Sequence, residues 1–377
     1  MTTSTTAARS ARLDRVRERL AETGVDGLLL SHGADLPWLT GYRAMPLERL
    51  TVLVLPREGE AVLVVPELEA PRVPVLPAGM SIRPWSDGEE PLDLVAGLLG
   101  GDVSRLGVSN RAWAATVLGL QERLPDAGFF PASRVTSVLR AVKDEAEVAV
   151  LRMAAAAADR VAAALQGGDI RLSGRSEREV SAELSARLLA EGHRKVNFAI
   201  VGSGPNGASP HHEAGDRVIG RGDVVVCDFG GEYALPGEDV GYCSDITRTV
   251  AVGDPGPEVR ECYDVLRAAQ AAGVAAARRG VAAEGVDGAT RAVIVEAGYG
   301  ERFVHRTGHG IGLEEHEDPY LVEGNRELLE PGHAFSVEPG IYFPGRFGMR
   351  LEDILVVEAE GAEVLNQADR GLVALEA

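Results

Sequence analysis

The sequence predicts a small α/β domain followed by a larger α+β domain whose two halves repeat each other. Three observations support this fold class: the chain length, an alternation of helical and strand-like segments at the start, and a repeated acidic motif further on. At 377 residues, the chain is about two and a half times the ~150 residues expected of one domain, which favours two domains. Hydrophobic residues make up 45% and charged residues 25%, as is usual for globular proteins.

Helix and strand patterns alternate over the first part of the chain. Leu13, Val16 and Leu20 recur at helical spacing, which favours a short tail and an amphipathic helix over residues 11–23 rather than a transit peptide. Short apolar runs and further helical segments follow, an order typical of an α/β domain. We predict that this domain spans residues 1–137 and that the second domain spans residues 138–377.

Capping signals and apolar runs mark the second part of the chain. Ser176 and Glu179 form a capping box that begins a helix. Pro257 begins another helix, and Gly298 follows the end of a third. Strand-like runs lie at residues 198–202, 224–233, 242–252, 333–343 and 349–357.

Two of these runs carry a repeated motif. Residues 222–230 read GDVVVCDFG, and residues 332–340 read GHAFSVEPG. In both segments an acid, Asp228 or Glu338, stands six residues after the first glycine and two before the last. An internal duplication would place these acids around a pseudo-two-fold axis, and a chance similarity is the alternative.

A second acid follows each repeat. Asp245 lies 17 residues after Asp228, and Glu352 lies 14 residues after Glu338. Because side chains alternate along a strand, a hairpin with its tip at residues 236–238 would present Asp228 and Asp245 on one side. Four carboxylates at one point would repel one another by several kcal/mol unless cations lie between them. The pattern therefore predicts a pair of divalent cations.

Histidines accompany the acidic segments. Of eight in the chain, five lie near these strands: His211, His212, His305, His309 and His316. His309 stands in TGHGIG, where small neighbours leave the imidazole uncovered. Four carboxylates and one imidazole form an oxygen-rich donor set that suits hard cations such as Mn²⁺. Two such ions would activate water and polarise a carbonyl, which predicts a hydrolase.

The chain resembles the pita-bread metallopeptidases in five motifs, which occur in order: GDVVVCDFG, YCSDITRT, HRTGHGIGLEEHE, SVEPGIY and RLED. This family includes Xaa-Pro dipeptidases (prolidases), aminopeptidase P and, more distantly, methionine aminopeptidase and creatinase. The resemblance covers nearly the whole chain and is strongest to actinobacterial Xaa-Pro dipeptidases. It implies a pita-bread (creatinase/aminopeptidase) catalytic domain behind a creatinase-like N-terminal domain.

The same resemblance implies the metal site. The family's metal ligands correspond to Asp228, Asp245, His309, Glu338 and Glu352. Asp245 and Glu352 would bridge two divalent ions. The implied metal is Mn²⁺, with Co²⁺ or Zn²⁺ as alternatives.

Further residues are implied to act on the substrate: His211, His305, His316, Glu338, Tyr342 and Arg350. His211 would contact the bound substrate, and His305 and His316 would shape the proline pocket. Glu338 would also shuttle a proton. Arg350 would orient a ligand carboxylate, with Tyr342 beside the site.

The hairpin between Asp228 and Asp245 departs from the family pattern. The six residues ALPGED, at 234–239, exceed the usual hairpin. An even number of residues at the tip keeps the parity of both strands, so we expect the ligands to stay on one face. The insertion would instead alter the rim of the cleft and thereby the preferred substrate length.

Structural roles suit the remaining histidines and cysteines. We expect His32 and His193 to lie at the surface or at helix ends, His212 to be passive and His333 to be structural. Cys243 suits a small buried filler.

A dinucleotide-binding reading of the GSGPNG segment, residues 202–207, fails on context. Pro205 lies inside the motif, and no helix pattern follows to bind a pyrophosphate.

Our interpretation is a dinuclear-metal hydrolase that cleaves the imide bond before proline in Xaa-Pro dipeptides. One alternative is an Xaa-Pro aminopeptidase that cuts longer peptides with the same residues. An alternative of another class is a catalytically silent binding module of this fold. The presence of all five ligands disfavours that module, and it also disfavours metal-free creatinase-type chemistry.

Charge and composition limit the partners and the compartment. A net charge of −19 and a pI near 4.9 argue against nucleic acid and anionic membranes. No apolar run reaches the ~18 residues of a membrane-spanning helix. Three cysteines without zinc-ligand spacing favour a reducing cytoplasm. The family resemblance further implies a homodimer.

Overall fold

The fold, described by a computed structural model, covers residues 2–100 and 103–377. The chain divides into two compact units. The first contains residues 1–140 and 236–240, and the second contains residues 141–235 and 241–377. Residues 236–240, which belong to the hairpin tip that is longer than the family pattern, thus group with the first unit.

The first unit alternates helices and short strands. They are α1 (Thr2–Thr23), β1 (Gly27–Leu30), α2 (Asp35–Thr40), β2 (Val52–Pro56), β3 (Ala61–Pro66), β4 (Met80–Trp85), α3 (Pro91–Leu99), β5 (Arg105–Val108), α4 (Ala114–Arg123), β6 (Gly128–Pro131) and α5 (Ser133–Ala141).

The first helix is longer than the sequence pattern predicted. The expected tail is wrong, because α1 begins at Thr2 rather than near Ala11. Residues 2–9 contain neither glycine nor proline, so nothing in them interrupts a helix that the apolar positions further along stabilise. The Ser10 hydroxyl donates to the Thr6 carbonyl at 3.2 Å, one turn back.

A six-stranded mixed sheet forms the centre of the first unit. Its strand order is β4-β3-β2-β1-β5-β6, with antiparallel pairing of β2 to β1 and β3 and parallel pairing elsewhere. Leu29, Val54, Val64 and Val108 on the central strands pack with Leu120 of α4. Helices α3 and α4 therefore pack against apolar side chains of the central strands.

The second unit combines long helices with three sheets. Its elements are α6 (Glu145–Gln166), α7 (Glu177–Ala190), β7 (His193–Ser203), β8 (Val224–Tyr233), β9 (Tyr242–Val252), α8 (Pro257–Ala276), α9 (Ala283–Glu296), β10 (Gly308–Gly310), β11 (Glu317–Leu321), β12 (Ala334–Val337), β13 (Gly340–Phe343), β14 (Phe347–Arg350), β15 (Asp353–Glu358), β16 (Gly361–Val364) and β17 (Val373–Leu375).

The helix boundaries in the second unit follow the predicted capping signals. Ser176 and Glu179 form the expected capping box at the start of α7, and Pro257 is the first residue of α8. Gly298, two residues after α9, has φ of 84°, a conformation that glycine adopts without strain.

The second unit contains three sheets, and two of the predicted strands are interrupted. One sheet has the order β17-β9-β8-β7, a second has β11-β10-β12-β15-β16, and β13 pairs with β14. The runs 333–343 and 349–357, predicted as single strands, are each divided in two. Pro339 has no N–H for a ladder, and the Glu352 N–H donates to the Thr247 carbonyl on β9 instead.

Within the described residues, none of the helices combines the length and the apolar character needed to cross a lipid bilayer.

A fully buried ion pair joins β9 to β15. The Arg248 guanidinium donates to Asp353 Oδ1 at 2.7 Å, and neither side chain is exposed. It also donates to the backbone carbonyls of Glu352, at 2.7 Å, and Ala368, at 3.0 Å. Arg248 thereby holds the strand that carries Asp245 against the segment that carries Glu352.

We expect Arg248→Met to lower the free energy of unfolding by about 3 kcal/mol, because it removes the guanidinium from buried Asp353 Oδ1 and from two backbone carbonyls. Gln270 and Arg370 continue to donate to Asp353 Oδ2. Urea unfolding followed by circular dichroism measures the loss. Arg326→Met is the control, since its side chain is 88% exposed. A loss below about 1 kcal/mol for Arg248→Met would contradict the structural role.

Candidate metal centre

The β8–β9 hairpin brings two aspartates to one face. In the antiparallel register, Asp228 lies opposite Thr247, and Gly230 lies opposite Asp245. Directly opposed residues share a face, and so do residues two apart on one strand. Asp228 and Asp245 therefore point the same way, and both are buried.

Two glutamates come from the breaks between strands. Glu338 stands between β12 and β13, and Glu352 stands between β14 and β15. Glu352 forms an isolated antiparallel bridge with Thr247, whose hydroxyl donates to Glu352 Oε2 at 2.7 Å. The break in each strand frees the carboxylate to approach the hairpin face that carries Asp228 and Asp245.

His309 approaches the carboxylates from the short strand β10. Its Nδ1 donates to the Gly310 carbonyl at 3.1 Å, which directs Nε2 into the cluster. Nε2 lies 3.2 Å from Glu338 Oε1 and 3.8 Å from Asp245 Oδ2. A Cβ on Gly308 would lie 1.9 Å from the Ser336 carbonyl oxygen, so only glycine allows this approach of the strands.

The donor set fits a divalent cation. Asp228 Oδ1, Asp245 Oδ1 and Glu352 Oε1 are buried and have no hydrogen-bond partner. Ligand atoms of Asp245, His309 and Glu352 all lie within 4.8 Å of one another. Buried oxygens without a donor are costly, and a bound cation would satisfy them. Oxygen-rich sites with one imidazole favour hard divalent metals.

Electrostatics point the same way. Burial, followed by repulsion from neighbouring carboxylates, raises the pKa of Asp245 and Glu352 well above the ordinary value. Burial also raises the pKa of Glu338 to about 7. Burial lowers the pKa of His309 to about 3, so the imidazole is neutral and able to bind a metal.

Arg350 ties the cluster to its surroundings. Its guanidinium donates to Asp228 Oδ2, to the Thr247 hydroxyl at 3.1 Å and to the Tyr342 hydroxyl at 3.0 Å. Thr247 in turn donates to Glu352, so Arg350 acts on two carboxylates from one side. Burial raises the pKa of Tyr342, which keeps its hydroxyl protonated.

His305, His211 and His316 line the same cavity, whose volume is about 560 Å³. His305 is engaged at both nitrogens, because Nδ1 donates to the Arg306 carbonyl at 2.7 Å and Nε2 accepts from the Tyr342 hydroxyl at 2.9 Å. The ring of His316 packs edge-on against His309 with centroids 4.1 Å apart. The structure thus brings the predicted residues together around one cavity. Tyr342 is hydrogen-bonded to two of the lining residues, His305 and Arg350.

Several residues that line the cavity were not predicted from the sequence. Phe198 and Ile200 on β7 lie opposite Gly230 and Asp228 and form an apolar side of the cavity. Strand parity would have identified them, as it would have identified Thr247, two residues after Asp245.

Arg306 and Glu315 also line the cavity and were not predicted. They lie on irregular segments, where no periodicity applies.

The prediction of a passive His212 is wrong. His212 Nε2 lies 2.7 Å from Oε2 of Glu177, whose side chain is fully buried. Glu177 also accepts from the N–H and the hydroxyl of Ser203, at 2.8 and 2.7 Å. The first turn of α7 therefore holds the loop that carries His211. No sequence period connects Glu177 with His212.

The other histidines and Cys243 have structural contacts. His193 is buried rather than at the surface; its Nδ1 donates to the Leu188 carbonyl near the end of α7, and its Nε2 contacts the Ser244 hydroxyl at 2.7 Å. His333 accepts from the Glu330 N–H at 2.8 Å. Burial raises the pKa of Cys243 well above the ordinary thiol value, so it stays a neutral thiol.

Family models match both parts of the chain. The model "Metallopeptidase family M24" matches residues 149–359, and the model "Creatinase/Prolidase N-terminal domain" matches residues 12–142. The chain belongs to metallopeptidase family M24, with a creatinase-type N-terminal domain, and the predicted fold class is confirmed.

Relatives extend the likeness over the full length. A probable dipeptidase PepE from Mycobacterium bovis is 46% identical over 358 residues, which cover 94% of this chain and 93% of the relative. An Xaa-Pro dipeptidase from Lactobacillus delbrueckii is 33% identical and covers 96% and 98% of the two chains. The crystal structure of dipeptidase PepE from Mycobacterium ulcerans matches with a TM-score of 0.90 and 43% identity, covering 99% of each chain.

Removing one carboxylate should weaken metal binding strongly. For Asp245→Ala and Glu352→Ala, we expect the affinity for Mn²⁺ to fall by more than the ~10–100-fold seen when outer contacts of metal ligands are lost. Isothermal titration of metal-free protein measures the affinity, and circular dichroism checks the fold.

Asp216→Ala is the matched control for these two variants, because its side chain is 87% exposed. Unchanged Mn²⁺ affinity in either Asp245→Ala or Glu352→Ala would contradict the assignment of the site.

Proposed function

We propose that the protein hydrolyses the imide bond before proline in Xaa-Pro dipeptides with two divalent cations, Mn²⁺ foremost. The observation that supports this most is the convergence of four carboxylates and His309 on one cavity, with three buried oxygens that lack a partner. The names of the relatives, among them an Xaa-Pro dipeptidase, point to the same substrate class.

The residues that would hold the two ions are Asp228, Asp245, His309, Glu338 and Glu352. When bound, the ions would polarise the scissile carbonyl and activate a water molecule. Glu338 would accept the proton of that water and pass it to the proline nitrogen. The Ser336 hydroxyl, which donates to Glu338 Oε1 at 3.2 Å, orients the carboxylate for this role.

The surrounding residues would bind and orient the substrate. His211 and His316 are exposed to the cavity and would contact the peptide, and His305 would form part of the proline pocket. Tyr342 holds His305 by its hydroxyl, and Arg350 holds both Tyr342 and Asp228. An imide bond has no N–H, so recognition must come from the pocket around the proline ring and from the groups at the two ends of the dipeptide.

Arg306 supports a dipeptide over a longer peptide. Its guanidinium carbon lies 4.4 Å from the centre of the Tyr320 ring, which holds it at the cavity wall. Across residues 2–100 and 103–377, no carboxylate oxygen lies within 4.0 Å of this guanidinium. A dipeptide presents a free carboxylate just after the proline ring, which a guanidinium binds through charge-assisted hydrogen bonds. A longer peptide presents a neutral amide there.

The same proposal includes the domain division at residues 1–137 and 138–377, a homodimer and a cytoplasmic location. Co²⁺ and Zn²⁺ are the alternative metals.

Substrate length tests the proposed function directly. With Mn²⁺ bound, we expect kcat/KM for an Xaa-Pro dipeptide to exceed that for the Xaa-Pro-Xaa tripeptide with the same first residue. Release of the amino-terminal residue, followed by chromatography, measures both rates. Preference for the tripeptide would identify an Xaa-Pro aminopeptidase, and metal-loaded protein that cleaves neither would identify a silent binding module.

Arg306→Met should separate free acids from amides. We expect kcat/KM for the Xaa-Pro dipeptide to fall about 10–100-fold, the value of one charged hydrogen bond. The corresponding Xaa-Pro amide should be cleaved by both forms at similar rates. An equal loss on acid and amide would show that Arg306 does not bind the carboxylate.

A further inference from the structure

Lysine is rare in this chain and is used at one buried site. Of 38 basic Lys and Arg residues, only Lys143 and Lys195 are lysines. Lys195 is exposed on β7. The side chain of Lys143 is 1% exposed and forms an ion pair with Glu317, which is 8% exposed. Other buried cations of the chain, such as Arg248 and Arg350, are arginines, so this site differs from them in holding a lysine.

The space around the ammonium excludes a larger group. A Cβ on Gly312 would lie 2.9 Å from Lys143 Nζ and 2.0 Å from Glu317 Oε1. The ion pair therefore occupies the volume that a side chain at position 312 would fill. A guanidinium is planar and larger than an ammonium, so arginine would displace the Gly312 segment.

Lys143 contacts both neighbours of the strand that carries His309. Its N–H donates to the carbonyl of Gly332, two residues before β12, at 2.8 Å, and its ammonium binds Glu317, the first residue of β11. Strand β10 lies between β11 and β12. Its Gly310 is paired with Glu317 on one side and with Phe335 on the other. Lys143 thus spans the end of the strand that holds His309.

The same contact reaches the second histidine of this segment. His316 immediately precedes Glu317, and its ring packs on His309 with centroids 4.1 Å apart. The intervening Gly312 carbonyl accepts from the Cys243 N–H at 2.7 Å, which connects the segment to the strand carrying Asp245. A shift of Glu317 would therefore move both imidazoles relative to the carboxylates.

We propose that Lys143 is a positioning residue: through Glu317 it fixes the β10–β11 segment so that His309 and His316 face the carboxylates, and arginine cannot replace it. The catalytic consequence rests on the proposed function, whereas the consequence for metal binding does not. A buried pair of this kind can be replaced by apolar residues with little loss of stability, although removing one partner is costly. Replacing both partners by apolar residues can therefore restore stability without restoring the ion pair, so the effect on stability can be separated from the effect on the position of the histidines.

The experiment compares Lys143→Arg, the double variant Lys143→Met/Glu317→Met, and Lys195→Arg as the matched control. Thermal unfolding gives Tm, titration with Mn²⁺ gives Kd, and cleavage of an Xaa-Pro dipeptide gives kcat and KM. For Lys143→Arg we expect a lower Tm, together with weaker Mn²⁺ binding and kcat/KM reduced about tenfold or more, as misplacement by about 1 Å produces. Lys195→Arg should match the wild type.

The double variant should regain a Tm within a few degrees of the wild type while Mn²⁺ affinity and kcat/KM stay about tenfold or more below it. Recovery of all three would reduce Lys143 to a stabilising role and overturn the proposal. The proposal would also be overturned if Lys143→Arg matched Lys195→Arg in Tm, Mn²⁺ affinity and kcat/KM. If the double variant does not fold, this comparison of the two arginine variants tests the proposal by itself. Wild-type protein inactive on the dipeptide would refute the proposed function, and the Mn²⁺ affinities would still decide the role of Lys143.

Discussion

Electrostatic repulsion among four clustered carboxylates, three of them buried, is the constraint on which the second unit depends. Asp228, Asp245, Glu338 and Glu352 line one cavity, and burial with mutual repulsion raises the pKa of Asp245 and Glu352. Arg350 compensates part of this charge. The partnerless oxygens show that the side chains of the described residues leave the remainder uncompensated, which is the state a cation site requires before its ion binds.

Side chains that alternate between the two faces of β9 hold the carboxylates in place. On β9, Asp245 and Thr247 face the cluster, and Arg248 faces the opposite side, where it binds Asp353. Thr247 donates to Glu352 and accepts from Arg350. The ion pair behind the strand and the hydrogen bonds in front of it thus fix the same segment, so that the repelling carboxylates keep their spacing.

Much of the fold and of the candidate site could be predicted because it rests on local periods. Strands β8 and β9 have the predicted bounds, and strand parity placed Asp228 and Asp245 on one face. The errors have physical causes as well. The segments around Glu338 and Glu352 look like continuous strands. Pro339 interrupts the first of them, and the N–H groups of Glu338 and Glu352 donate to Thr307 and Thr247 elsewhere in the chain. Propensity and pattern cannot register such distant partners.

The sequence by itself determined the class of fold and the chemistry of the donor set, because both follow from residue types at fixed spacing. The tertiary structure decided which of these groups are engaged and which are free. It bonds His305 to Tyr342 at one nitrogen and leaves the guanidinium of Arg306 without an acidic partner among the described residues. It also encloses Lys143 against Glu317. These outcomes depend on contacts between residues far apart in the chain, and such contacts form only when the sheets pack.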